Sequence, residues 1–567
     1  MNSAHTVRQC LQLAVCPPIG CVRALRRPRV GMGAVRCAGR SLLPMVMGLM
    51  LAGCWAVGPN FQKPGAPVAK EWIEQQDSRL RSGSGDYSQW WKAFDDPVLN
   101  SLIELACQQN PSLQIAGIRI LEARAQLGVA VGNLFPQKQQ LTAAHTYNQT
   151  SQNAPNTAGT SQLIYQTYSV GLTAAWELDL WGKYRRSVES ADASLIASVA
   201  SYDDALVSLL GDVATNYVLI RIYQERLLVA RENVEIQKQS LKLTDARFRN
   251  GAVTELDVQQ AKSLLYSTES KIPTLETGLR QAQNALSILL GIAPRDLEDL
   301  IGGVKPIPKA PVEVVIGIPA ELLLRRPDVR YAELQAAAQC AQIGVAKADL
   351  FPRISLSGSF GFSSSDSYLT RKGWSTFADM FSWKSFVMSS GPSIEWPILN
   401  YGRITNNIRI QDARFQEALV TYQKTVLTAA REAEDALVSF LQAQDQVGFL
   451  TQSVQAAKRA VDLSLIQYRE GAVDYTRVLN AQQSLVEQQD LLVQSRGAIP
   501  TNLVSLYKAL GGGWQVRLGQ EFVSEETLRA MRSRTNWGSL LPPRDYPREL
   551  EPPRPAGDRF PIQKPDW

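Results

Sequence analysis

Four short segments of the chain alternate apolar and polar residues, as β-strands with one apolar face do. The clearest is 168–180, where apolar side chains occupy every second position. Residues 354–363 repeat the pattern, and 139–148 and 386–398 follow it less regularly. We predict four strands in two hairpins, joined by loops rich in Ser, Thr, Gly and Asn at 149–163 and 363–385. A half-buried sheet of a water-soluble protein would show the same alternation.

Two longer stretches have helical periodicity instead. No proline interrupts the chain from Gly182 to Arg249 or from Arg403 to Arg469, and helices of that length would extend roughly 100 Å. Both contain the 4,3 spacing of a coiled-coil seam, in the sets Leu206, Leu210, Val213, Tyr217, Ile220 and Val426, Ala430, Ala433, Leu437, Phe440. Gly251 and Gly471 then suit left-handed turns, and shorter helices at about 254–290 and 475–510 run back to complete two helical hairpins.

These elements occur twice because the chain contains an internal duplication. Leu134-Phe135-Pro136 returns as Leu350-Phe351-Pro352, an offset of 216 residues. The offset becomes 220 for four later pairs, which are Trp176 and Trp396, Gly182 and Gly402, Gly251 and Gly471, and Gly291 and Gly511. Each copy has the order helix, two strands, long helix, turn, helix, which indicates that one ancestral unit was copied.

The first 53 residues differ from the rest of the chain in charge. They hold seven Arg and no Asp, Glu or Lys. The remainder of the chain therefore contains 52 of the 59 basic residues and all 53 acidic residues. The net charge of +6 belongs to this leader, and the nearly neutral remainder argues against nucleic-acid binding. An apolar run at 41–53 follows, too short to span a bilayer and typical of a signal peptide.

Cys54 ends a lipobox, Leu51-Ala52-Gly53-Cys54, so we predict that its thiol is acylated after cleavage of the leader. A buried structural cysteine is the alternative. Trp55 follows where an Asp would favour retention at the inner membrane, and outer membrane sorting is therefore expected. The basic region is unusually long, so Met1 or Met32 could be the true start.

Residues that could perform catalysis are scarce beyond the leader. His145 is the only histidine there, and the cysteines are Cys54, Cys107 and Cys340. A multi-histidine metal site is thereby excluded, and a Ser-His-Asp apparatus or a disulfide framework is not expected. We predict that the protein is not an enzyme and needs neither a metal nor another cofactor.

Four strands cannot close a barrel within one chain. Amphipathic hairpins on a lipoprotein indicate a membrane barrel, so oligomerisation is required. A dimer would supply eight strands around a pore filled by side chains, and a trimer would supply twelve around an aqueous lumen.

From residue 54 to about 514 the chain resembles the outer membrane factors, the TolC-like exit ducts, and within them the lipoprotein branch of OprM and nodulation protein T homologues. The resemblance rests on the order and spacing of several motifs: Val57-Gly58-Pro59-Asn60-Phe61-Gln62-Lys63-Pro64, Trp90-Trp91, Phe94-Asp95-Asp96-Pro97, Trp176-Glu177-Leu178-Asp179-Leu180-Trp181-Gly182, Arg325-Arg326-Pro327-Asp328-Val329-Arg330 and Ala509-Leu510-Gly511-Gly512-Gly513-Trp514.

The resemblance implies a mainly α-helical protein with a β-barrel. It would be a homotrimer with twelve strands in the outer membrane of a Gram-negative bacterium and a helical tunnel in the periplasm. An equatorial domain would form from the segments outside the hairpins. The partners implied are a periplasmic adaptor protein and an inner-membrane pump, commonly of the resistance-nodulation-division class. The subunit would be a passive exit duct for drugs or other small toxic compounds. Service to a major-facilitator pump or a type I secretion system, or a role as a non-conducting envelope scaffold, are the alternatives.

In such ducts the two helical turns form a periplasmic tip that closes the lumen and contacts the adaptor. The resemblance places Gly251 and Asp257 in the first turn, and Tyr468, Gly471, Arg477 and Asn480 in the second. Asp257 matches a position in the family's acidic ring, whereas Arg477 and Asn480 stand where relatives often carry Asp. An Asp257 to Arg477 contact between neighbouring hairpins could replace the ring, and solvated surface charges are the alternative. Tyr468 could pack at the constriction or belong to the core.

The expected divisions are a cleaved signal peptide at 1–53, a first repeat with its N-terminal segment at 54–320, a second repeat at 321–514 and a tail at 515–567. Pro273 is expected to kink the first returning helix. The tail has eight prolines within 542–565 and is expected to be extended or disordered.

Overall fold

The computed structural model of the chain describes residues 56–83, 85–151, 153, 163–317, 319–365, 377–541 and 546. In this part helices predominate. They are α1 (Pro97–Gln109), α2 (Pro111–Gly132), α3 (Lys183–Arg249), α4 (Glu255–Glu269), α5 (Lys271–Leu289), α6 (Glu298–Ile301), α7 (Pro319–Leu323), α8 (Pro327–Ala348), α9 (Arg403–Arg469), α10 (Tyr475–Ala509) and α11 (Glu525–Arg534). Short 3₁₀ segments cover Trp90–Phe94, Phe377–Phe381, Trp383–Ser385 and Trp514–Arg517.

The two proline-free stretches form helices α3 and α9, each 67 residues long and each starting after a left-handed glycine, as predicted. All five predicted seam residues of α3 are buried, and so are four of the five in α9; Ala430 is half-buried. One window of α3 is long and apolar enough to cross a membrane, but 67% of that window is buried inside the fold. The apolar stripe of α3 therefore belongs to helix packing.

The returning helices differ between the two copies. In the first copy Ser270 separates α4 from α5, three residues before Pro273, so the expected interruption is present. In the second copy α10 continues without a break for 35 residues, even through Pro500. A proline removes one helical hydrogen bond, and α10 absorbs that loss within its length.

The strands are β1 (Leu80–Ser82), β2 (Lys138–Gln149), β3 (Ile164–Glu177), β4 (Val314–Ile316), β5 (Arg353–Ser365) and β6 (Phe386–Glu395). The four long strands form one antiparallel sheet in the order β2-β3-β5-β6, which confirms the two predicted hairpins. Strands β1 and β4 pair in parallel as a separate two-stranded sheet, which the hydrophobic pattern did not predict.

The register of the larger sheet separates its side chains into two chemically different faces. One row across the four strands consists of Leu141, Leu172, Phe360 and Met388, all exposed. The adjacent row, on the opposite face, consists of Gln140, Thr173, Ser359 and Ser389. A water-soluble sheet would cover its apolar face, whereas a membrane barrel turns such a face to lipid and its polar face to water. The exposed apolar face therefore favours the membrane alternative.

The motifs outside the hairpins meet in the largest hydrophobic core. Trp90 stacks on Tyr507 of α10 with ring centroids 5.4 Å apart. Arg326, at the start of α8, donates a 2.7 Å hydrogen bond to the carbonyl of Ala509 and forms a 2.8 Å ion pair with Glu432 of α9. These contacts tie α8 and the end of α10 to the middle part of α9.

The segment that follows the leader packs along α3 and α8. Gly58, with φ +106°, approaches Gly344 so closely that a Cβ would lie 2.5 Å from the Gly344 Cα. Buried Arg186 donates to the Asn60 Oδ1 at 2.7 Å and pairs with Glu189 at 2.8 Å. The Val57–Pro64 motif therefore has a structural explanation, since its glycine permits a helix contact and its Asn accepts from a buried guanidinium.

The described part of the C-terminal tail corrects the prediction of an extended or disordered segment. Residues 514–541, which we name the C-terminal clasp, contain helix α11, whose Leu528 and Met531 pack against Leu121 of α2. Arg517 of the clasp lies 2.5 Å from the Asp203 carboxylate of α3, and both side chains are buried. The proline-rich residues after 541, apart from Tyr546, lie outside the described residues.

Candidate functional site

The two hairpin turns have the same backbone geometry. In the first, Ala252 N–H donates to the Arg247 carbonyl and Gly251 N–H to that of Phe248, both at 2.9 Å. In the second, Ala472 donates to Gln467 at 2.9 Å and Gly471 to Tyr468 at 3.0 Å. This is the Schellman arrangement, which requires a left-handed residue. Gly251 (φ +70°) and Gly471 (φ +78°) supply it, as the sequence predicted.

Each returning helix is capped by an acidic side chain near the turn. The Asp257 carboxylate accepts from the Thr254 backbone N–H at 3.1 Å and from its hydroxyl at 3.2 Å, which forms a capping box at the start of α4. Asp474 caps α10 by accepting from the Arg477 backbone N–H at 3.3 Å. The negative charge of each carboxylate is also stabilised by the positive end of its helix dipole.

Arg247 joins the two turns. Its guanidinium lies 4.7 Å from the centroid of the Tyr468 ring, donates to the Tyr468 carbonyl and makes a second bond of 3.2 Å to the carbonyl of Arg469. The end of α3 is thereby attached to the end of α9 by a cation–π contact and charge-assisted hydrogen bonds.

A small aromatic core lies directly behind this attachment. The rings of Tyr468 and Tyr475 meet edge to face with centroids 5.4 Å apart, and Ala261 and Val478 complete the buried cluster. Burial raises the pKa of both phenols above the ordinary value of 10.0. Both tyrosines are therefore neutral at physiological pH, and the charges at the tip are those of acidic and basic side chains.

Between its apolar ends, the seam between α3 and α10 contains buried polar side chains. Val218, Ile222 and Val493 make an apolar contact farther from the turns. Closer to them, Asn233 donates to Gln489 at 2.7 Å and Gln482 donates to Ser240 at 2.6 Å. Water can replace such hydrogen bonds at a lower free-energy cost than it can replace apolar packing. This part of the seam, between the apolar contact and the tip core, therefore depends on hydrogen bonds more than the seam on either side of it does.

The predicted site residues have different environments. Gly251, Gly471, Arg477 and Asn480 are exposed, and Asp257 is half-buried in its capping box. Tyr468 is 2% exposed and belongs to the tip core, which is the alternative weighed for it. Within the described residues of this one chain no ion pair joins Asp257 to Arg477, so that contact stays a prediction for neighbouring protomers. Cys54 lies outside the described residues.

Sequence reasoning missed Arg247 and Tyr475. The partners of Arg247 are 221 and 222 residues away along the chain, and no local pattern marks such a contact. Tyr475 occupies the first position of α10, where a buried aromatic is not a common helix signal. The duplication offset could have helped, because it places residues 248 and 468 at equivalent ends of the two long helices.

The described residues contain no group of three His, Cys, Asp or Glu side chains arranged to hold a metal. What the geometry does contain is a two-faced sheet attached to two long helical hairpins whose ends are joined at a narrow tip. Such an architecture defines a channel-forming envelope protein.

Comparison with known proteins identifies the family. The profile of the family described as "Outer membrane efflux protein" matches residues 102–292 and again 318–512. The chain belongs to this family, and the double match confirms the internal duplication. It is accordingly an outer membrane efflux channel protein, of a non-enzymatic class that forms trimers and works with adaptor and inner-membrane pump proteins.

Individual relatives align with the chain over nearly their whole length. The chain is 32% identical to nodulation protein T of Rhizobium leguminosarum bv. trifolii over 471 residues, 82% of this chain and 96% of that protein. It is 34% identical to the pyoverdine export outer membrane protein OpmQ of Pseudomonas aeruginosa over 490 residues, 83% and 97% respectively. The solved outer-membrane channel OprN superposes with a TM-score of 0.74 at 33% identity, covering 81% of this chain and all of that one.

Proposed function

We propose that this chain is a lipoprotein whose homotrimer forms the passive exit duct of a tripartite efflux system. The observation that supports this best is the sheet with one apolar and one hydroxyl-rich face, attached to helices α3 and α9 of 67 residues each. Three copies would supply twelve strands around an aqueous lumen. The helices would extend that lumen about 100 Å into the periplasm.

Each repeat contributes equally to this assembly. The first, at 54–320, provides strands β2 and β3 and the hairpin of α3 with α4 and α5. The second, at 321–514, provides β5 and β6 and the hairpin of α9 with α10. Six quasi-equivalent units in the trimer would surround the lumen, and the threefold axis would coincide with it.

The proposed partners are a periplasmic adaptor at the tip and an inner-membrane pump of the resistance-nodulation-division class. The proposed cargo is a small toxic compound or drug, in keeping with the small-molecule export named for OpmQ. The test is the efflux rate of a fluorescent drug from cells that lack this chain. Re-expression of the wild type should restore efflux. Unchanged efflux together with a weakened envelope would instead favour the non-conducting scaffold.

Anchoring by lipid at Cys54 is a separate part of the proposal, supported by the lipobox and the small residues before the cysteine. Cells fed an alkyne-bearing palmitate should label the wild-type chain, and Cys54→Ala should abolish the label. Cys107→Ala is the matched control, because Cys107 lies in α1 and should not affect labelling. Equal labelling of Cys54→Ala would overturn the assignment.

At the tip, we assign the gate and adaptor contact to Gly251, Asp257, Gly471, Arg477 and Asn480, with the buried Tyr468 supporting them from the tip core. Arg477 is exposed and free to reach a neighbouring protomer's Asp257, whose carboxylate has one oxygen in its capping box. A charge swap tests the latch. Asp257→Arg or Arg477→Asp alone should open the tip, and the double variant should close it again. No recovery in the double variant would show that these charges are merely solvated.

A further inference from the structure

The segment between β5 and β6 exposes an unusual number of aromatic side chains. Residues 377–386 form two 3₁₀ turns followed by the start of β6. We call its four aromatic residues the aromatic cluster, and their exposed fractions are 57% for Phe377, 63% for Phe381, 82% for Trp383 and 38% for Phe386. Water-soluble surfaces rarely group exposed aromatics this closely, and such a patch marks an interaction surface.

The aromatic cluster lies on the apolar side of the sheet. Phe377 meets the Tyr168 ring edge to face with centroids 5.6 Å apart. Phe381 and Trp383 lie 6.3 and 6.4 Å from the Phe362 ring. Tyr168 lies four residues before Leu172 in β3, and Phe362 lies two residues after Phe360 in β5, so both belong to the apolar face. The cluster thus extends the apolar face and leaves the hydroxyl-rich face uncovered.

Hydrogen bonds hold these turns in shape. The hydroxyls of Ser382 and Ser385 both donate to the Asp379 carbonyl at 2.8 Å, and the Ser385 N–H donates to the Ser382 carbonyl at 3.0 Å. Met380, between Phe377 and Phe381 in the sequence, is buried at 4% exposure. The outward position of the rings is therefore built into the fold of the segment.

We propose that the aromatic cluster is a lipid-contacting surface that lies outside the barrel, at the level where acyl chains meet the headgroups of the outer leaflet. This rests on the proposed function, since it takes the apolar face of the sheet to be the lipid face. Aromatic rings favour that interfacial level. The exposed Lys384 ammonium would reach the headgroup phosphates. The cluster would fix the depth of the barrel in the membrane.

Site-directed spin labelling tests the proposal on the full chain in reconstituted bilayers. A nitroxide is attached to Trp383→Cys in a Cys107→Ser, Cys340→Ala background, and its collisions with oxygen and with a water-soluble nickel chelate are compared. Ser363→Cys, on the hydroxyl-rich face at nearly the same level, is the aqueous control. Leu172→Cys, in the middle of the apolar face, is the lipid control.

At Trp383→Cys we expect the ratio of oxygen to nickel collisions to exceed that of Ser363→Cys several-fold and to approach that of Leu172→Cys. A ratio equal to that of Ser363→Cys, with Leu172→Cys still in lipid, would overturn the proposal and place the segment over the barrel mouth or against another protein. An aqueous ratio at Leu172→Cys itself would instead refute the membrane sheet and with it the proposed function. Phe381→Cys provides an independent second position if the Trp383→Cys chain does not assemble.

Discussion

Arg247 is the residue that most directly connects the two copies at the tip. It donates to two carbonyls at the end of α9 and lies over the Tyr468 ring. Those carbonyls belong to the last turn of a helix, where partners within the helix are lacking. A cation at a helix C-terminus is also favoured by the helix dipole. The Arg247 side chain, near the end of α3, therefore supplies hydrogen bonds to two carbonyls at the end of α9.

Replacing Arg247 with Ala should loosen the tip. Loss of hydrogen bonds from a charged donor costs about 1–3 kcal/mol, so amide hydrogen exchange at Ala252 and Ala472 should accelerate at least about fivefold. Arg249→Ala is the matched control, because the Arg249 side chain forms an exposed ion pair with Asp245 and, among the described residues, has no contact with the second turn. Equal exchange in both variants would show that Arg247 does not hold the turns.

The turn glycines give a second test at this scale. Gly471 has φ +78°, and an added Cβ would meet only the Arg247 Nη2, at 3.6 Å. The cost of Gly471→Ala is therefore backbone strain alone, about 1–2 kcal/mol. In this variant, exchange at the Ala472 amide should rise by about tenfold. Gly471→Asn should raise the exchange rate less, because Asn tolerates the left-handed region. An alanine variant with wild-type exchange would contradict the Schellman geometry.

Individual residues were predictable from the sequence only where the reason is local. A glycine after a long apolar repeat predicts its own left-handed conformation, and both turn glycines have it. Arg247 could not be predicted, because its contacts join positions more than 200 residues apart. Asp257 was assigned to a constriction by family position, whereas its observed contacts form a helix cap.

Among the elements, the sheet places neighbouring residues of one strand on two faces with different environments. Leu172 and Thr173 are adjacent in β3 but point to opposite faces. An Arg on the lipid face near mid-membrane costs about 2–4 kcal/mol, and one facing the lumen costs little. Leu172→Arg should therefore lower the fraction of heat-resistant folded trimer in outer membranes, while Thr173→Arg should leave it near wild type. The reverse order would show that the faces are assigned the wrong way.

The C-terminal clasp has its own pH dependence. Burial raises the pKa of Asp203 to about 7 from an ordinary value of 3.8, although the neighbouring Arg517 acts to lower it. Between these values the folded chain retains a proton that the unfolded chain releases, so the contribution of Asp203 to stability declines as the pH rises. Exchange within α11, corrected for its intrinsic pH dependence, should therefore be faster at pH 8 than at pH 5.

Asp203→Asn is the control for this pH effect, since its amide does not titrate over this range. The variant should exchange within α11 at a corrected rate that is the same at pH 5 and pH 8. A variant that keeps the wild-type pH dependence would assign the effect to another group.

Elements with long, uninterrupted patterns were predicted well, and short ones were not. Helices α3 and α9 begin and end within a residue of their predicted bounds, because a 67-residue periodic stretch leaves little choice. Strands β1 and β4 have three residues each and depend on a partner more than 230 positions away. Helix α11 has only two buried apolar residues, Leu528 and Met531, and the proline-rich composition beside it obscured that signal.

At the scale of the whole molecule, the apolar face of the sheet and the Arg247 contacts at the tip serve one purpose in our account. The apolar face places one end of the chain in the outer membrane. At the other end, Arg247 joins the two turns by hydrogen bonds that water or a partner protein can replace. A duct built in this way conducts rarely when alone and opens when a partner engages its tip.

The most direct test of this account is the single-channel conductance of the purified protein in planar bilayers, with wild type beside Arg247→Ala and the Arg249→Ala control. We predict small, rare openings for the wild type and the Arg249→Ala variant, and larger, longer openings for Arg247→Ala. Absence of conductance in all three proteins, at every voltage and salt concentration, would contradict the claim that the chain forms a gated duct.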